Sequence, residues 1–364
     1  MKQKPMKGPE AMLKENPRIA VVKLGSIGDC LHMLPVMRAL RRNFPKAALV
    51  WVVEEKSREI PTGQDGIDEV MVVDTRGWRS LLKSGRVISA FRAVRSFQKR
   101  CSERRFDWAI DGQGLIKSGL ITWLTGAPIR VGFAREDCRE GLNTLFTNRR
   151  IHPGAEHVVE RNLSLLEGVG APDRSVSFDF TLPPEAVERI DSWLQSKGLI
   201  VRPRVALHPG AGFETKRWPL ESFLKLGERL AVEGIDIILT ASEEEAESIR
   251  QVPSLKEGRW VWAPPFTLKE LAALYKKCDA MVGGDTGPLH LAAAVGCPTV
   301  GLFGPSESGR SGPYGERRRI IQKACACRGA SPYFPRRCRQ AVGCIQEIQV
   351  EEVYQRVREI LKAV

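Results

Sequence analysis

Short apolar runs alternate with segments of helical periodicity along most of the chain. The first half has helical patterns at Cys30–Asn43 and Ser80–Arg100. Its predicted strands are Arg18–Lys23, Ala48–Val53, Glu69–Val73 and Asp107–Asp111. Strand–helix alternation indicates parallel strands with right-handed crossovers, so we expect an α/β fold. Pro35 predicts that the first helix is either kinked or restarted at that position.

The same alternation returns in the second half. Its predicted strands are Arg204–His208, Ile235–Thr240, Arg259–Trp262, Ala280–Gly283 and Thr299–Phe303. Its predicted helices are Leu220–Glu233, Glu243–Gln251, Leu268–Lys277, Pro288–Val295 and Val350–Lys362. Between the halves, Pro183, Pro184 and Pro203 flank one further helix, Glu185–Lys197, which predicts a domain junction. Two open α/β domains leave a cleft at the carboxyl ends of their strands, where ligands of such sheets bind.

The length of 364 residues favours two domains. We predict a disordered tail over 1–17, a first domain over 18–182, a junction over 183–203, a second domain over 204–348, and a C-terminal segment over 349–364. The helix of that last segment is expected to return towards the first domain. Because the tail is Lys-rich and lacks an apolar core segment, it is not typical of a signal peptide. We therefore expect a cytoplasmic protein whose nine cysteines are mostly reduced.

The formal net charge of +13 is unevenly distributed. From Arg76 to Arg105 there are ten Lys and Arg residues against one acid, Glu103. Three explanations remain open: a solvated helix face, attraction to an anionic membrane surface or anionic acceptor, and binding of nucleic acid. No recognised nucleic-acid motif accompanies the charge, so we expect no specific nucleic-acid partner.

The segment Gly283–His290 (GGDTGPLH) predicts a strand end that turns into a helix. Asp285 or Thr286 suits the helix cap, and Pro288 suits the first turn. Backbone N–H groups at this end favour a phosphate ligand, which His290 on the same turn would reach. The alternative is a structural turn with a histidine in the core.

A second loop, Leu207–Pro219 (LHPGAGFETKRWP), also follows a predicted strand. Its glycines allow the backbone to approach a ligand, and Thr215 and Lys216 supply a hydroxyl and a cation that suit phosphate. The alternative is a surface loop with incidental charge. Neither loop has the spacing of a P-loop, so the sequence does not indicate an ATPase of that kind.

The N-terminal loop, Lys23–Asp29 (KLGSIGD), lacks the G-x-G-x-x-G spacing of dinucleotide-binding folds. It places Asp29 where a helix begins after the first strand. There the carboxylate either accepts a proton from a substrate hydroxyl or caps the helix, and the spacing favours neither role.

From about Arg18 to Val357 the chain resembles glycosyltransferase family 9, the ADP-heptose:lipopolysaccharide heptosyltransferases. The resemblance lies in VKLGSIGDCLHMLP, WVVEE, DGQGLIKSG, HVVERN, HPGAGFETKRWP, GGDTGPLHLAAAVGCPTVGLFGP and the C-terminal cysteine segment. The N-terminal motifs are most similar to those of heptosyltransferase I, which adds the first heptose to Kdo of the lipid A inner core. The resemblance implies the GT-B fold, in which two Rossmann-like domains face each other across a cleft.

The family pattern also implies roles for individual residues. Asp29 corresponds to the general base, and Lys216 is implied to support the departing diphosphate. The implied donor-binding residues are Gly28, Thr215, Lys216, Glu243, Asp285, Thr286, Gly287 and His290. The implied acceptor-binding residues are Arg76, Arg79, Lys83, Gln113, Lys117 and Arg139. Before Arg139, this chain has Asp137-Cys138 where the family has Lys-Ser.

The implied reaction is an inverting, metal-independent transfer of heptose from ADP-heptose to an anionic Kdo–lipid A acceptor. We expect peripheral contact with the inner face of the inner membrane, and no required cofactor. Two other functions stay open: transfer from a different nucleotide sugar or to a later core acceptor, and non-catalytic binding of a nucleotide or of lipopolysaccharide. Donor screening separates the first from the predicted reaction.

Four C-terminal cysteines form a separate candidate site. Cys325, Cys327, Cys338 and Cys344 have the spacing C-x-C-x10-C-x5-C, which fits no common zinc module. Reduced thiols, a structural zinc site and disulfides all remain open for this set.

Overall fold

The computed structural model describes residues 15–199, 203–242, 245, 260–325 and 343–363. The chain forms two compact units, Met1–Phe178 (unit 1) and Asp179–Val364 (unit 2). No helix in these described ranges is both long enough and apolar enough to cross a bilayer.

Unit 1 is built on a parallel six-stranded sheet of order β3-β2-β1-β4-β5-β6. Its strands are β1 (Arg18–Val22), β2 (Ala48–Val53), β3 (Glu69–Val72), β4 (Trp108–Asp111), β5 (Ile129–Phe133) and β6 (Arg149–Ile151). β1 pairs with β4 in the register Val22 to Asp111, so the loops that follow these two strands are neighbours. This is the switch point of a doubly wound sheet, where ligands of such folds bind.

The helices of unit 1 are α1 (Ile27–Leu31), α2 (Leu34–Asn43), α3 (Thr75–Lys83), α4 (Val87–Arg104), α5 (Ile116–Leu124) and α6 (Val158–Ser164). The predicted helix around Pro35 restarts, because Pro35 lies in the first turn of α2, where no backbone donor is needed. The single helix predicted over Ser80–Arg100 is wrong. The chain turns between α3 and α4, where Gly85 has a φ of 74°.

Unit 2 repeats the design, with a parallel six-stranded sheet of order β12-β11-β10-β7-β8-β9. Its strands are β7 (Arg204–His208), β8 (Asp236–Leu239), β9 (Trp260–Trp262), β10 (Ala280–Gly284), β11 (Thr299–Phe303) and β12 (Ile320–Gln322). Its helices are α7 (Pro184–Ser196), α8 (Leu220–Val232), α9 (Leu268–Lys276), α10 (Gly287–Ala294), α11 (Ser308–Ser311) and α12 (Val350–Lys362). The predicted helix Glu243–Gln251 lies almost entirely outside the described residues. Both sheets confirm the predicted α/β class.

The helix predicted to lie in the domain junction belongs to unit 2. The chain divides after Phe178, before the predicted junction at 183–203. α7 packs against α9, and Arg189 of α7 forms an ion pair with the largely buried Glu270 of α9 at 2.8 Å.

The C-terminal helix α12 uses its apolar face within unit 2. Val353, Val357 and Ile360 are buried in the same core as Trp218, and α12 packs on α8. The indole N–H of Trp218 donates to the carbonyl of Ile348, just before the helix, at 2.9 Å. The apolar stripe of this helix is covered by the core of unit 2, and its predicted return towards the first domain stays a prediction.

A buried hydrogen-bond chain connects β7, β8 and α9. His208 Nδ1 lies 3.0 Å from Thr240 Oγ1, which lies 3.0 Å from the hydroxyl of Tyr275. Burial lowers the pKa of His208 to about 4, although the charge of Glu245 acts in the opposite direction. His208 is therefore neutral in the folded protein at pH 7.

We predict that unit 2 loses stability as the pH falls from 6.5 to about 4. In this pH window the unfolded chain binds a proton at His208 and the folded chain does not, so protonation favours unfolding. Above this window His208 is neutral in both states. His208→Gln, which does not titrate and retains a polar partner for Thr240, should flatten this dependence. Hydrogen exchange of β7 and β10 against pH measures it.

His152→Gln serves as the matched control, because the His152 side chain is 68% exposed and lies in unit 1. The same pH dependence of exchange in wild type and His208→Gln would contradict the prediction.

Candidate functional site

The loop after β1 positions Asp29 at the start of α1. Gly25 has a φ of 149°, and a Cβ there would lie 3.1 Å from Ser57 Oγ, so the turn favours glycine. Asp29 Oδ2 accepts a hydrogen bond from the Ser26 N–H at 3.1 Å, which caps the helix. The capping role is therefore present, and the carboxylate remains 21% exposed.

Arg139 lies beside Asp29, with Nη1 3.7 Å from Oδ2. Its loop is joined to the one after β4 by two hydrogen bonds of Glu140, whose N–H donates to the Gly114 carbonyl at 2.9 Å and whose side chain accepts from the Ile116 N–H at 2.6 Å. The structure thus brings together the predicted base and one predicted acceptor residue, which are distant in sequence.

Gln113 connects the loops that follow β1 and β4. Its Oε1 accepts from the Leu24 N–H at 2.8 Å, and its Nε2 donates to the Gly25 carbonyl at 2.5 Å. Gln113 was predicted to bind the acceptor. The structure shows that it holds the loop that carries Asp29, and acceptor contact stays a prediction.

Two buried charged residues that the sequence did not single out reinforce these loops. Lys23 Nζ donates to the Gly112 carbonyl at 2.5 Å, and burial lowers the pKa of Lys23. Asp111 accepts hydrogen bonds from the N–H groups of Gln113 and Gly114 and from the side chains of Ser118 and Asn143. Burial raises the pKa of the Asp111 carboxyl, whereas these hydrogen bonds act to lower it. The sequence feature that could have indicated Lys23 and Asp111 is a charged residue at the end of an apolar strand.

Glu54, directly after β2, lies beside two of the predicted acceptor-binding residues. Its Oε1 accepts from Lys117 Nζ at 2.8 Å and from the Thr75 hydroxyl, and its Oε2 lies 4.0 Å from Arg76 Nε. Burial raises the pKa of Glu54, but the hydrogen bonds from Lys117 and Thr75 outweigh it, so the pKa lies below its ordinary value. Glu54 was within a quoted motif but was not predicted as a site residue.

Arg79 and Lys83 continue the basic face of α3 beyond Arg76. Spacings of three, four and seven residues place all three on one side of a helix. Their side chains are exposed, and Arg79 and Lys83 make no ion pair within the described ranges. The structure therefore joins Arg76 and Lys117 at Glu54 and leaves Arg79 and Lys83 on the surface.

In unit 2, the loops after β7 and β10 meet at a buried ion pair. Lys216 Nζ lies 2.5 Å from Asp285 Oδ2, and Asp285 Oδ1 lies 3.3 Å from His290 Nε2. Burial raises the pKa of Asp285, but the hydrogen bond from His290 and the charge of Lys216 hold it well below its ordinary range. A Cβ on Gly284 would lie 2.6 Å from the Lys216 carbonyl, so the close approach of the loops requires glycine there.

The first turn of α10 adds a second source of positive potential. Thr286 is the N-cap, yet its side chain makes no hydrogen bond to the helix and donates instead to the Gly284 carbonyl at 3.2 Å. The cap predicted from the side chains of Asp285 or Thr286 is thus not made by Thr286. Beside Lys216, the Thr215 hydroxyl is buried and has no hydrogen-bond partner in the described part of the chain. Phosphate oxygens suit this combination of donors.

Glu245, of the acidic run after β8, lies against Gly210 in the loop after β7. Glu243, which was predicted to bind the donor, is outside the described residues. Glu245 of the same run is described: its Oε2 accepts from Ser242 Oγ at 2.9 Å, and its Oε1 is 3.8 Å from Arg217 Nη2. A Cβ on Gly210 would lie 2.0 Å from Glu245 Oε2, so the glycine makes room for this carboxylate.

The cysteine set is described in part. Cys344 is buried and Cys325 is half-buried. Cys327 and Cys338 lie outside the described residues. A structural zinc site at these four positions therefore stays a prediction.

Known proteins and protein families were compared with this chain. The family model described as glycosyltransferase family 9 (heptosyltransferase) matches residues 94–340. Lipopolysaccharide heptosyltransferase 1 of Pseudomonas aeruginosa is 32% identical over 306 residues, which cover 82% of this chain and 81% of that protein. The resemblance stated from the sequence is thereby confirmed.

Solved structures agree in fold. A glycosyl transferase family 9 structure from Veillonella parvula has a TM-score of 0.80 and 22% identity, and the match covers 97% of this chain and 99% of that one. The E. coli heptosyltransferase WaaC with ADP-2-deoxy-2-fluoro heptose has a TM-score of 0.70 and 25% identity, covering 94% and 99% of the two chains. The predicted two-domain α/β fold of the GT-B type is confirmed by these similarities.

The matched motifs include the loops that carry Lys216 and Asp285, and the relatives match the chain over most of its length. This chain belongs to glycosyltransferase family 9, the heptosyltransferases.

Proposed function

We propose that this protein transfers heptose from ADP-heptose to Kdo of the lipopolysaccharide inner core, with inversion and without a catalytic metal. The observation that carries the proposal is the meeting of Lys216, Asp285 and the first turn of α10 beside the Thr215 hydroxyl, which has no hydrogen-bond partner among the described residues. This is a site for a nucleotide diphosphate, which is the leaving group of such a transfer.

Binding of the donor diphosphate depends, in this proposal, on the positive electrostatic potential where Lys216 meets the first turn of α10. Asp285 and His290 hold the Lys216 ammonium and the start of α10 together. A diphosphate gains negative charge as the glycosidic bond breaks, and a preorganised cation and helix N-terminus stabilise that charge. They supply the charge that a metal ion supplies at other phosphate sites. Thr215, Thr286 and Gly287 would contact the phosphates, and Glu243 the ribose. The similar E. coli structure with an ADP-sugar analogue supports the donor class.

The acceptor half rests on Asp29. In the proposed reaction Asp29 takes the proton from the acceptor hydroxyl, whose oxygen bonds to the anomeric carbon. The bond from that carbon to the diphosphate oxygen breaks on the opposite face, and ADP departs with the bonding electrons. This in-line displacement inverts the anomeric centre and passes through a state of oxocarbenium character. The capping bond from Ser26 and the neighbouring Arg139 fix the orientation of the carboxylate.

Basic residues of unit 1 would hold the anionic acceptor. Arg76, Lys117 and Arg139 lie in the clusters around Glu54 and Asp29, and Arg79 and Lys83 extend along α3. Kdo carries a carboxylate and lipid A carries phosphates, both of which suit these cations. Because the acceptor is a lipid, we propose that the protein works as a peripheral protein at the cytoplasmic face of the inner membrane.

A second candidate is transfer from another nucleotide sugar or to a later core position. It is favoured by the composition of the donor loops, whose charged groups suit the diphosphate of any nucleotide sugar. Non-catalytic nucleotide or lipopolysaccharide binding is less well supported, because Asp29 and Lys216 are both present.

Release of ADP from ADP-heptose by the purified full chain, with and without deacylated Kdo–lipid A, tests the function. We expect release that depends on the acceptor, because the base acts only on an acceptor hydroxyl. ADP binding without release would support a different donor or acceptor. Absence of both would contradict the proposal.

Asp29→Asn should lower kcat by about 10²- to 10⁴-fold, the usual contribution of a general base. The amide oxygen still accepts from the Ser26 N–H, so the cap persists while proton transfer is lost. ADP affinity should stay close to that of wild type. Glu55→Gln is the matched control, since that side chain is 71% exposed in the same unit. Near-normal turnover of Asp29→Asn would exclude Asp29 as the base.

Lys216→Ala should weaken ADP binding roughly tenfold to a hundredfold, the cost of one hydrogen bond to a charged group, and should also lower kcat. Isothermal titration with ADP measures the first effect, and the transfer assay the second. Lys225→Ala, an exposed lysine on α8, is the matched control. If the two variants bound ADP equally well, Lys216 would not be a diphosphate ligand.

A further inference from the structure

The hairpin formed by α3 and α4 exposes an apolar tip. Leu82, Val87, Ile88 and Phe91 are 55%, 58%, 70% and 62% exposed. They lie at the end of α3 and the start of α4, on either side of the turn at Gly85. Four large apolar side chains concentrated within ten residues differ from the scattered single ones that soluble surfaces normally carry.

The exposure of the tip is not a consequence of poor packing. The inner face of α4 already contributes Ala90, Val94, Phe97 and Cys101, which are buried or packed against the core of unit 1. α3 is anchored by Trp78, whose ring packs edge-to-face on Phe97 at 5.8 Å between centroids. The tip residues are therefore additional to a hairpin that has its own hydrophobic anchor.

Cations surround the tip. Lys83 and Arg86 lie at the turn, and Arg92, Arg95 and Lys99 follow on the exposed side of α4. None of these five makes an ion pair within the described ranges, although the Arg95 guanidinium lies 5.7 Å from the centre of the Phe91 ring. By contrast Arg104, near the inner end of α4, is paired with Glu69. The positive charge is thus left available around the apolar residues.

An exposed apolar patch next to cations that make no ion pair within the described ranges matches an anionic lipid surface. Apolar side chains enter the boundary between headgroups and acyl chains, while Lys and Arg contact the lipid phosphates. A second copy of this chain fits less well, because two such hairpins would bring like charges together. Nucleic acid would use the cations and leave four apolar side chains in water.

We infer that the α3–α4 hairpin docks the protein on an anionic membrane, with Leu82, Val87, Ile88 and Phe91 inserted at the interface. This deepens the proposed function, because it assigns a surface to the proposed membrane contact. Arg76 lies six residues before Leu82 on α3, about 9 Å along the axis at the rise of an α-helix. Docking at the tip therefore holds the Glu54 cluster close above the lipid headgroups, where the sugar of a lipid-linked acceptor would lie.

The test uses the full chain and co-sedimentation with phosphatidylcholine vesicles that contain roughly one-third phosphatidylglycerol, against pure phosphatidylcholine. Wild type should bind the anionic vesicles and lose binding in high salt. Ile88→Ser/Phe91→Ser should bind about tenfold or more weakly, because it removes the inserted apolar area. Leu145→Ser/Val232→Ser is the matched control; these residues are 74% and 89% exposed and lie outside the hairpin.

Turnover with deacylated, water-soluble acceptor separates the two proposals. Ile88→Ser/Phe91→Ser should retain it, which also shows that the variant is folded. If wild type bound vesicles but released no ADP, the proposed function would fail and the docking surface would stand.

Equal vesicle binding by the double variant and its control would overturn the assignment. So would wild-type binding that is indifferent to phosphatidylglycerol. A wild-type dimer by light scattering that Ile88→Ser/Phe91→Ser converts to a monomer, together with no vesicle binding, would instead identify the tip as a contact between copies.

Discussion

The pairing of β7 with β10 is the constraint on which the donor site depends. Lys216 and Asp285 are 69 positions apart, and they meet because the strands before their loops are hydrogen-bonded neighbours in a parallel sheet. Parallel strands end at the same edge, so both loops emerge together. Gly284 then lets the loop after β10 pass close to the Lys216 carbonyl. A side chain at position 284 would separate the loops and disturb the ion pair.

The same constraint acts in unit 1 with different chemistry. β1 and β4 are neighbours, and the loops beyond them are joined through Gln113 to Leu24 and through Lys23 to Gly112. These partners are 89 positions apart. In this unit, side chains bind the backbone of the opposite loop, which fixes the loop that presents Asp29. In unit 2, charged side chains bind each other, which concentrates charge at the start of α10.

Apolar periodicity predicted buried strands such as β1, β2 and β11, which contain apolar runs, but it did not predict the helix α5. It missed β5, β6 and β12. β6 and β12 are three residues long and only partly buried, so their patterns differ little from loops, and β5 begins with two half-buried residues, Ile129 and Arg130. It merged α3 with α4, because Gly85 was one turn signal in a long basic stretch. It also did not show that α12 is covered by the core of unit 2, since an apolar stripe shows that a helix is covered but not by what.

In the candidate site, too, some residues could be predicted from the sequence and others could not. Motifs predicted Asp29, Lys216, Asp285 and His290 as site residues, because these residues follow strand ends. They missed Glu54 and Lys23, whose roles depend on partners from distant loops. The described buried charges of these loops are all hydrogen-bonded or paired, as the cost of burying a charge requires. The cations around the hairpin tip are exposed and make no ion pair with any residue that the structure describes. Because exposed cations without ion-pair partners contribute little electrostatic stabilisation to the fold, their concentration beside exposed Phe91 and Ile88 is better explained by a surface outside the protein.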